Sequence, residues 1–144
     1  MRYLLDTNVI SAWMRASEDD PLVGRVRREG HQIATAAPVW HELRFGWGLL
    51  APSKRKETIG RFLDSVLRPS VPILDYDMSA ADWHARERAR LQGKGLTPTF
   101  VDGQIAAIAA TRGLVVVTRN TADFERWAGV LVEDWLAESI ETRR

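Results

Sequence analysis

The run Leu114-Val115-Val116-Val117-Thr118 constrains the fold more than any other stretch. Its consecutive valines send branched apolar side chains to both faces of a strand, so neither face can meet water. Such a strand belongs inside a parallel sheet with helices packed on both sides. The rest of the chain alternates in the way that builds one. Tyr3-Leu4-Leu5 is a short apolar run, and Gln32-Ile33-Ala34-Thr35 is a second, weaker one. Val71-Pro72-Ile73-Leu74 is a third, with its proline suggesting an edge. Val130-Leu131-Val132 is the last.

Helical patterns fill the gaps. Asp6-Thr7-Asn8 opens a helix with Val9, Ile10 and Trp13 on its apolar side. Glu18-Asp19-Asp20-Pro21 starts another that runs to Gly30, since acids and proline suit a first turn. Ala37-Pro38 starts a helix through Leu50 with Trp40, Leu43, Trp47 and Leu50 in one stripe. Pro52-Ser53 breaks it, and Lys54 to Leu67 follows. Met78 to Leu91 is an arginine-rich helix ending at the Gly93-Lys94-Gly95 loop. Phe100 to Thr111 is a small-residue helix closed by Gly113, and Thr121 to Trp127 a short one. The expected fold is therefore α/β, a central and mainly parallel sheet of about four or five strands flanked by helices. Residues 1–144 are expected to form one domain.

Composition narrows the function classes. With 45% hydrophobic and 27% charged residues the chain can bury a core and is expected to be soluble. No apolar run approaches the ~20 residues that span a bilayer, and no secretion signal is expected at the N-terminus. There is no cysteine, which excludes disulfides and thiolate metal sites and is compatible with a cytoplasmic location. A net charge of +1 is far from the footprint of a dedicated DNA-binding module.

Four acids stand out by position. Asp6 ends the first strand, and in open α/β sheets ligands bind beyond the carboxyl ends of strands. Glu42 has Pro38, Phe45 and Leu49 as helical neighbours, a costly place for a carboxylate without compensation. Asp102 shares a helix face with Ile105, Ala106 and Ala109. Asp123 follows the valine strand by a few residues. Each has an ordinary explanation in helix capping: Asp6 or Asn8 for the first helix, Thr97 or Thr99 for the helix of Asp102, and Asn120 for that of Asp123. Gathered at one sheet edge, however, carboxylates repel unless a cation lies among them. Without cysteine and with only three histidines, the fitting ion is hard and oxygen-loving, Mg²⁺ or Mn²⁺.

These residues carry a family resemblance. Leu4-Leu5-Asp6-Thr7-Asn8-Val9-Ile10, His41-Glu42-Leu43-Arg44-Phe45-Gly46, Asp102-Gly103-Gln104-Ile105-Ala106-Ala107 and Val117-Thr118-Arg119-Asn120-Thr121-Ala122-Asp123-Phe124 resemble, in order and spacing, the motifs of PIN-domain ribonucleases of the VapC toxin type. The resemblance implies a PIN-like α/β/α sandwich and metal-dependent hydrolysis of RNA, such as a tRNA or rRNA, by a toxin. It also implies restraint by a VapB-type antitoxin, and a homodimer that enlarges when the antitoxin binds. Asp6, Glu42, Asp102 and Asp123 would hold Mg²⁺ or Mn²⁺, and Asn8, Thr118 and Asn120 would orient ligands or a water. Relatives differ on whether the position of Asn120 or of Asp123 completes the set.

For the anionic substrate, Arg44 and Arg119 lie close in sequence to proposed ligands, and Lys94 sits in the glycine loop. The apolar stretches around Trp13, Trp47 and Ile59 are candidate contact surfaces. Two other readings compete. One is a non-catalytic acidic-pocket module that grips a basic partner protein. The other is a phosphatase or response-regulator-like domain. That one needs a lysine after a late strand, and Val115-Val116-Val117-Thr118-Arg119 has none.

Overall fold

A computed structural model describes residues 1–136. Residues 137–144 of the expected domain lie outside the described residues. Five strands form the sheet: β1 (Tyr3–Leu5), β2 (Ile33–Ala36), β3 (Ile73–Leu74), β4 (Val115–Val117) and β5 (Val132–Glu133). Every pairing is parallel and the order is β3-β2-β1-β4-β5. The valine strand β4 is paired on both sides and its three residues are buried. Pro72 precedes β3 at the sheet edge. Its carbonyl still accepts from the Thr35 amide at 2.9 Å.

The helices are α1 (Thr7–Arg15), α2 (Pro21–Glu29), α3 (Ala37–Gly48), α4 (Lys54–Arg61), α5 (Arg68–Ser70), α6 (Met78–Gly93), α7 (Phe100–Thr111) and α8 (Thr121–Glu125). Local chemistry sets their starts. Asp20 accepts from the Leu22 amide with Pro21 in the first turn, and Thr99 accepts from the Asp102 amide. The single helix expected from Lys54 to Leu67 is instead α4, a π-helical stretch Phe62–Leu67 and α5, ending at Ser70. Leu63 and Leu67 are both fully buried in the π stretch. Strand limits differ from the expected ones by one or two residues, as fraying and local pairing would have it. The last strand is Val132–Glu133 rather than Val130-Leu131-Val132, because Val116 and Val117 pair with those two residues.

The order reverses beside β1. The chain leaves β1 for β2 on one side, and later places β4 on the other. That is a topological switch point, and its crevice opens beyond the ends of β1 and β4. Leu5 pairs with Val117, so the next residues, Asp6 and Thr118, stand side by side there.

Helix α7 reaches the sheet closely because Ala106, Ala107 and Ala109 are buried with Ile105 and Ile108. Helix α6 packs on α7 where Gly103 has no side chain. A methyl group at residue 103 would stand 2.1 Å from His84 Nε2 and 2.8 Å from the Trp127 ring. His84 cannot easily yield, since Tyr76 Oη holds its Nδ1 at 2.8 Å.

Glycine in a helix interior normally disfavours the fold relative to alanine by about 0.5–1 kcal/mol. Gly24 in α2 is exposed, and a methyl group there would meet nothing within 4 Å. Gly24→Ala is therefore expected to raise stability by about 0.5–1 kcal/mol. Gly103→Ala is expected to lower it by about 1–3 kcal/mol, the usual range for overpacking. Urea unfolding of both variants checks the opposite signs, and two stabilised variants would contradict the packing described.

Candidate active site

Asp6 ends β1 and caps α1, and it is only 6% exposed. Its two oxygens divide the work. Oδ1 accepts from the Thr7 amide at 2.8 Å. Oδ2 accepts from Thr118 Oγ1 at 2.9 Å. Asn8 Nδ2 lies 3.4 Å from the same Oδ2 and 3.2 Å from Thr118 Oγ1. The Asn120 amide also donates to Thr118 Oγ1, at 3.1 Å. The Thr118 hydroxyl thus donates once and accepts twice, its full capacity. Asn8 Oδ1 takes the Arg119 amide at 3.1 Å, tying the turn after β4 to α1.

Glu42 reaches this place from α3. Its Oε2 accepts from Thr7 Oγ1 at 2.8 Å. This is the compensation that a carboxylate on an apolar strip required. Asp102 comes from the first turn of α7 and Asp123 from that of α8. The structure therefore brings all four acids to one edge of the sheet. Burial lifts the Asp6 carboxyl above its ordinary value; the Thr7 amide and Thr118 hydroxyl oppose this, and the charges of Asp102 and Glu42 add to it. Burial likewise lifts Asp102; Thr99 opposes, Asp123 and Glu42 add, and Arg126 opposes weakly. Among the described residues no three His, Cys, Asp or Glu side chains close into a cage for an ion. The donor chemistry is nevertheless uniform. All the acids offer hard oxygens, and two of them are pushed toward protonation by their burial and crowding. That donor chemistry suits a hard, oxygen-loving cation and does not suit a soft one.

The remaining predicted residues fall elsewhere. Arg44 does not face the acids, because two positions along a helix turn it by roughly 200° from Glu42. Its guanidinium lies 4.4 Å from the Trp47 ring centroid and 3.4 Å from Asp64 Oδ1. Arg119 is exposed, and it is its amide that joins the site network. Lys94 is exposed at the end of α6, where its charge acts on Glu87. Asn120 holds the N-cap position of α8 without a side-chain capping bond. Trp13 packs edge-on to Phe62 at 5.1 Å, while Trp47 and Ile59 line a cavity of about 470 Å³ that reaches Glu42 and Thr7.

Sequence reasoning missed Thr7 and Arg126. Thr7 had a signal, a hydroxyl beside Asp6 while Glu42 lacked a donor. Arg126 had none, because its approach to Asp102 depends on how α8 packs beside α7.

Residues 3–130 match the family described as PIN domain. The chain is 31% identical over 136 residues to the tRNA(fMet)-specific endonuclease VapC of Salmonella typhimurium, covering 94% of this chain and 98% of that protein. It is 32% identical to the toxin FitB of Neisseria gonorrhoeae, covering 84% and 89% of the two chains. A solved structure of DNA-bound VapBC from Salmonella typhimurium superposes with a TM-score of 0.81 at 30% identity, covering 94% of this chain and 98% of that one.

The raised carboxyls have a measurable consequence. An acid whose folded pKa exceeds its unfolded value of ~4 favours the fold while protonated. Its penalty grows as pH rises above ~4 and is complete above the folded value. In EDTA, Asp102→Asn is expected to melt higher than wild type at pH 7, with the gap closing near pH 4. Thermal melting at both pH values checks this, and a gap independent of pH would show that Asp102 is not strained by its neighbours.

Proposed function

The chain belongs to the PIN-domain family and is of the VapC kind, and from that premise we propose that it is a metal-dependent endoribonuclease, the toxin of a toxin–antitoxin pair. The observation that carries this reading is the meeting of Asp6, Glu42, Asp102 and Asp123 at the switch point, with Asp6 and Asp102 raised by burial and shared charge. A phosphodiester is anionic and would be repelled by bare carboxylates. A divalent ion bound there supplies charge screening, polarisation of the phosphoryl oxygen and an acidified water.

Asp6, Glu42, Asp102 and Asp123 are the residues that would hold it. Thr118 and Asn8 fix one oxygen of Asp6, and Thr7 fixes one oxygen of Glu42, so neither acid must reorganise to bind. Among the described residues Asp123 has no such tether, and it would be the more loosely placed ligand. The uniformly buried β1 and β4 beneath the acids keep water from entering from below. We take residues 1–144 as one PIN domain acting in the cytoplasm. No helix among the described residues is long and apolar enough to cross a membrane.

The partners follow from the same membership. A VapB-type antitoxin is the expected binding protein, and the cavity beside Glu42 joins an apolar surface to the acids. Phe45 and Leu49 on and just after α3 are 61% and 71% exposed, which suits coverage by another chain. A homodimer is expected in solution, and light scattering at tens of micromolar (roughly above a weak dimer's dissociation constant) checks it.

The decisive experiment incubates purified protein with RNA and Mn²⁺ and sequences the ends. The tRNA named for the Salmonella relative is the first substrate to include. Asp6→Asn, Asp102→Asn and Glu42→Gln are each expected to lose about 10²–10³-fold in rate while staying folded by circular dichroism. Asp123→Asn is expected to lose less, and Thr118→Val about 10–100-fold. Full activity in Asp6→Asn or Asp102→Asn would remove the site. A wild-type protein that binds a basic partner but never cleaves RNA would make it an acidic binding module instead.

A further inference from the structure

Residues 44–68 hold six lysines and arginines against two acids, a net +4 in a chain whose total is +1, so the remaining residues sum to −3. Segregated charge of this kind opposes the compact fold by self-repulsion. The structure shows that these cations are gathered on one surface. On α3, Trp40, Arg44 and Trp47 follow one another at helical spacing. The Arg44 guanidinium lies 5.7 Å from the Trp40 ring centroid and 4.4 Å from that of Trp47. From α4, Lys56 Nζ comes within 4.6 Å of the Trp47 centroid, and from α5 the Arg68 guanidinium lies 5.0 Å from that of Trp40. Arg61 joins Trp47 and Lys56 in lining a second cavity, of about 700 Å³. These contacts link six residues from three helices.

A cation paired with a carboxylate is nearly neutral to a third ion, whereas one resting on an indole keeps its full charge. Among the described residues only Arg44 of this group has an ion-pair partner, Asp64 at 3.4 Å. Arg61 and Arg68 are exposed. The surface is not detached from the acids. Trp47 is a wall both of this cavity and of the one that reaches Glu42 and Thr7.

The acids themselves repel every phosphate of a substrate that does not lie over a bound ion. Affinity for a polyanion therefore has to come from cations beyond them. Each tryptophan here carries two cations at its ring, so the surface presents charge rather than open rings on which bases stack. Contacts of that kind meet the phosphate backbone and do not read sequence.

We infer that this surface is a second RNA contact, which binds the phosphate backbone of a folded RNA away from the cut. Arg61 and Arg68 are its outward cations, and Trp40 and Trp47 are the supports that set Arg44, Lys56 and Arg68. The inference rests on the ribonuclease reading.

The test titrates a fluorescent RNA duplex with Asp6→Asn protein in Mn²⁺, by anisotropy, at salt from about 50 to 200 mM. Adding Arg61→Gln and Arg68→Gln is expected to weaken binding about tenfold at the lower salt, and to flatten the plot of log affinity against log salt by about 1–2. Two duplexes of unrelated sequence are expected to respond alike. In the otherwise wild-type protein the same pair is expected to raise KM for a tRNA about tenfold with kcat within about threefold, because the acids are untouched. Arg28→Gln with Arg86→Gln removes the same charge from exposed positions on α2 and α6, and is expected to leave KM and the salt slope unchanged. An equal loss in that control would reduce the effect to overall charge and overturn the surface. Cleavage by wild type, with KM and slope unchanged in Arg61→Gln/Arg68→Gln, would overturn it too and leave the ribonuclease standing. Tighter binding of polyglutamate than of the duplex, lost in the same pair, would make the surface a dock for an acidic protein and overturn RNA as its occupant. Duplex binding that depends on Arg61 and Arg68, in a wild type that cleaves nothing, would keep the surface and take down the ribonuclease. Neither binding nor cleavage would take down both.

Discussion

The bond from Thr118 Oγ1 to Asp6 Oδ2 ties the site to the sheet. It joins the residues that follow β1 and β4, and those strands are neighbours only because the order reverses between them. One step of slip in their register would turn Thr118 to the other face and leave Asp6 buried without its donor. The register is held by apolar side chains on both faces of β1 and β4, all of them buried. The hydrophobic sheet thus fixes a polar geometry. In return the polar network rigidifies the strand ends, since the Thr118 hydroxyl has no capacity left for another arrangement.

Crowding acids at that edge opposes folding, and the architecture concentrates the opposition in residues that also have local support. Asp6 and Asp102 are both raised by burial first and by neighbouring acids after it. Both also belong to helix starts, where backbone amides and capping hydroxyls favour negative charge. Closeness of α7 to the sheet is what brings Asp102 in, and that depends on its alanines and on Gly103 yielding space to His84 and Trp127. The packing of α6 and Trp127 on the residue next to Asp102 therefore sets how near the acids come.

Much of this was legible in the sequence, for identifiable reasons. The valine strand, the helix starts at Pro21 and Phe100, and the acids at strand and helix ends depend on local chemistry, which a single chain displays. Contacts that depend on how helices are rotated were not legible. The turn of about 200° between Glu42 and Arg44 can be read from their spacing, but the meeting of Arg44 with Asp64 depends on where the π-helical stretch lies. Arg126, far in sequence from Asp102, is brought near by the packing of α8. The π-helical stretch Phe62–Leu67 carries no residue that breaks a helix, so nothing in its sequence distinguishes it from the α-helix expected there.

Capping and ligation are not rival explanations for these acids. A carboxylate has two oxygens and about four acceptor sites. Asp6 gives Oδ1 to the Thr7 amide and Oδ2 to Thr118 and Asn8, and Oδ1 keeps a further lone pair. At Asp102 the capping is done by the Thr99 hydroxyl, which leaves the acid unneeded for it. At α8 the Asn120 side chain makes no capping bond, so Asp123 is the acid of that first turn without being held in a cap. The helix starts orient the carboxylates, and across the switch point Asp6 feels the charges of Asp102 and Glu42 while Asp102 feels those of Asp123 and Glu42. A residue explained by local structure is thus not thereby excluded from chemistry; at a strand-to-helix turn the local bond is what gives the acid a fixed direction.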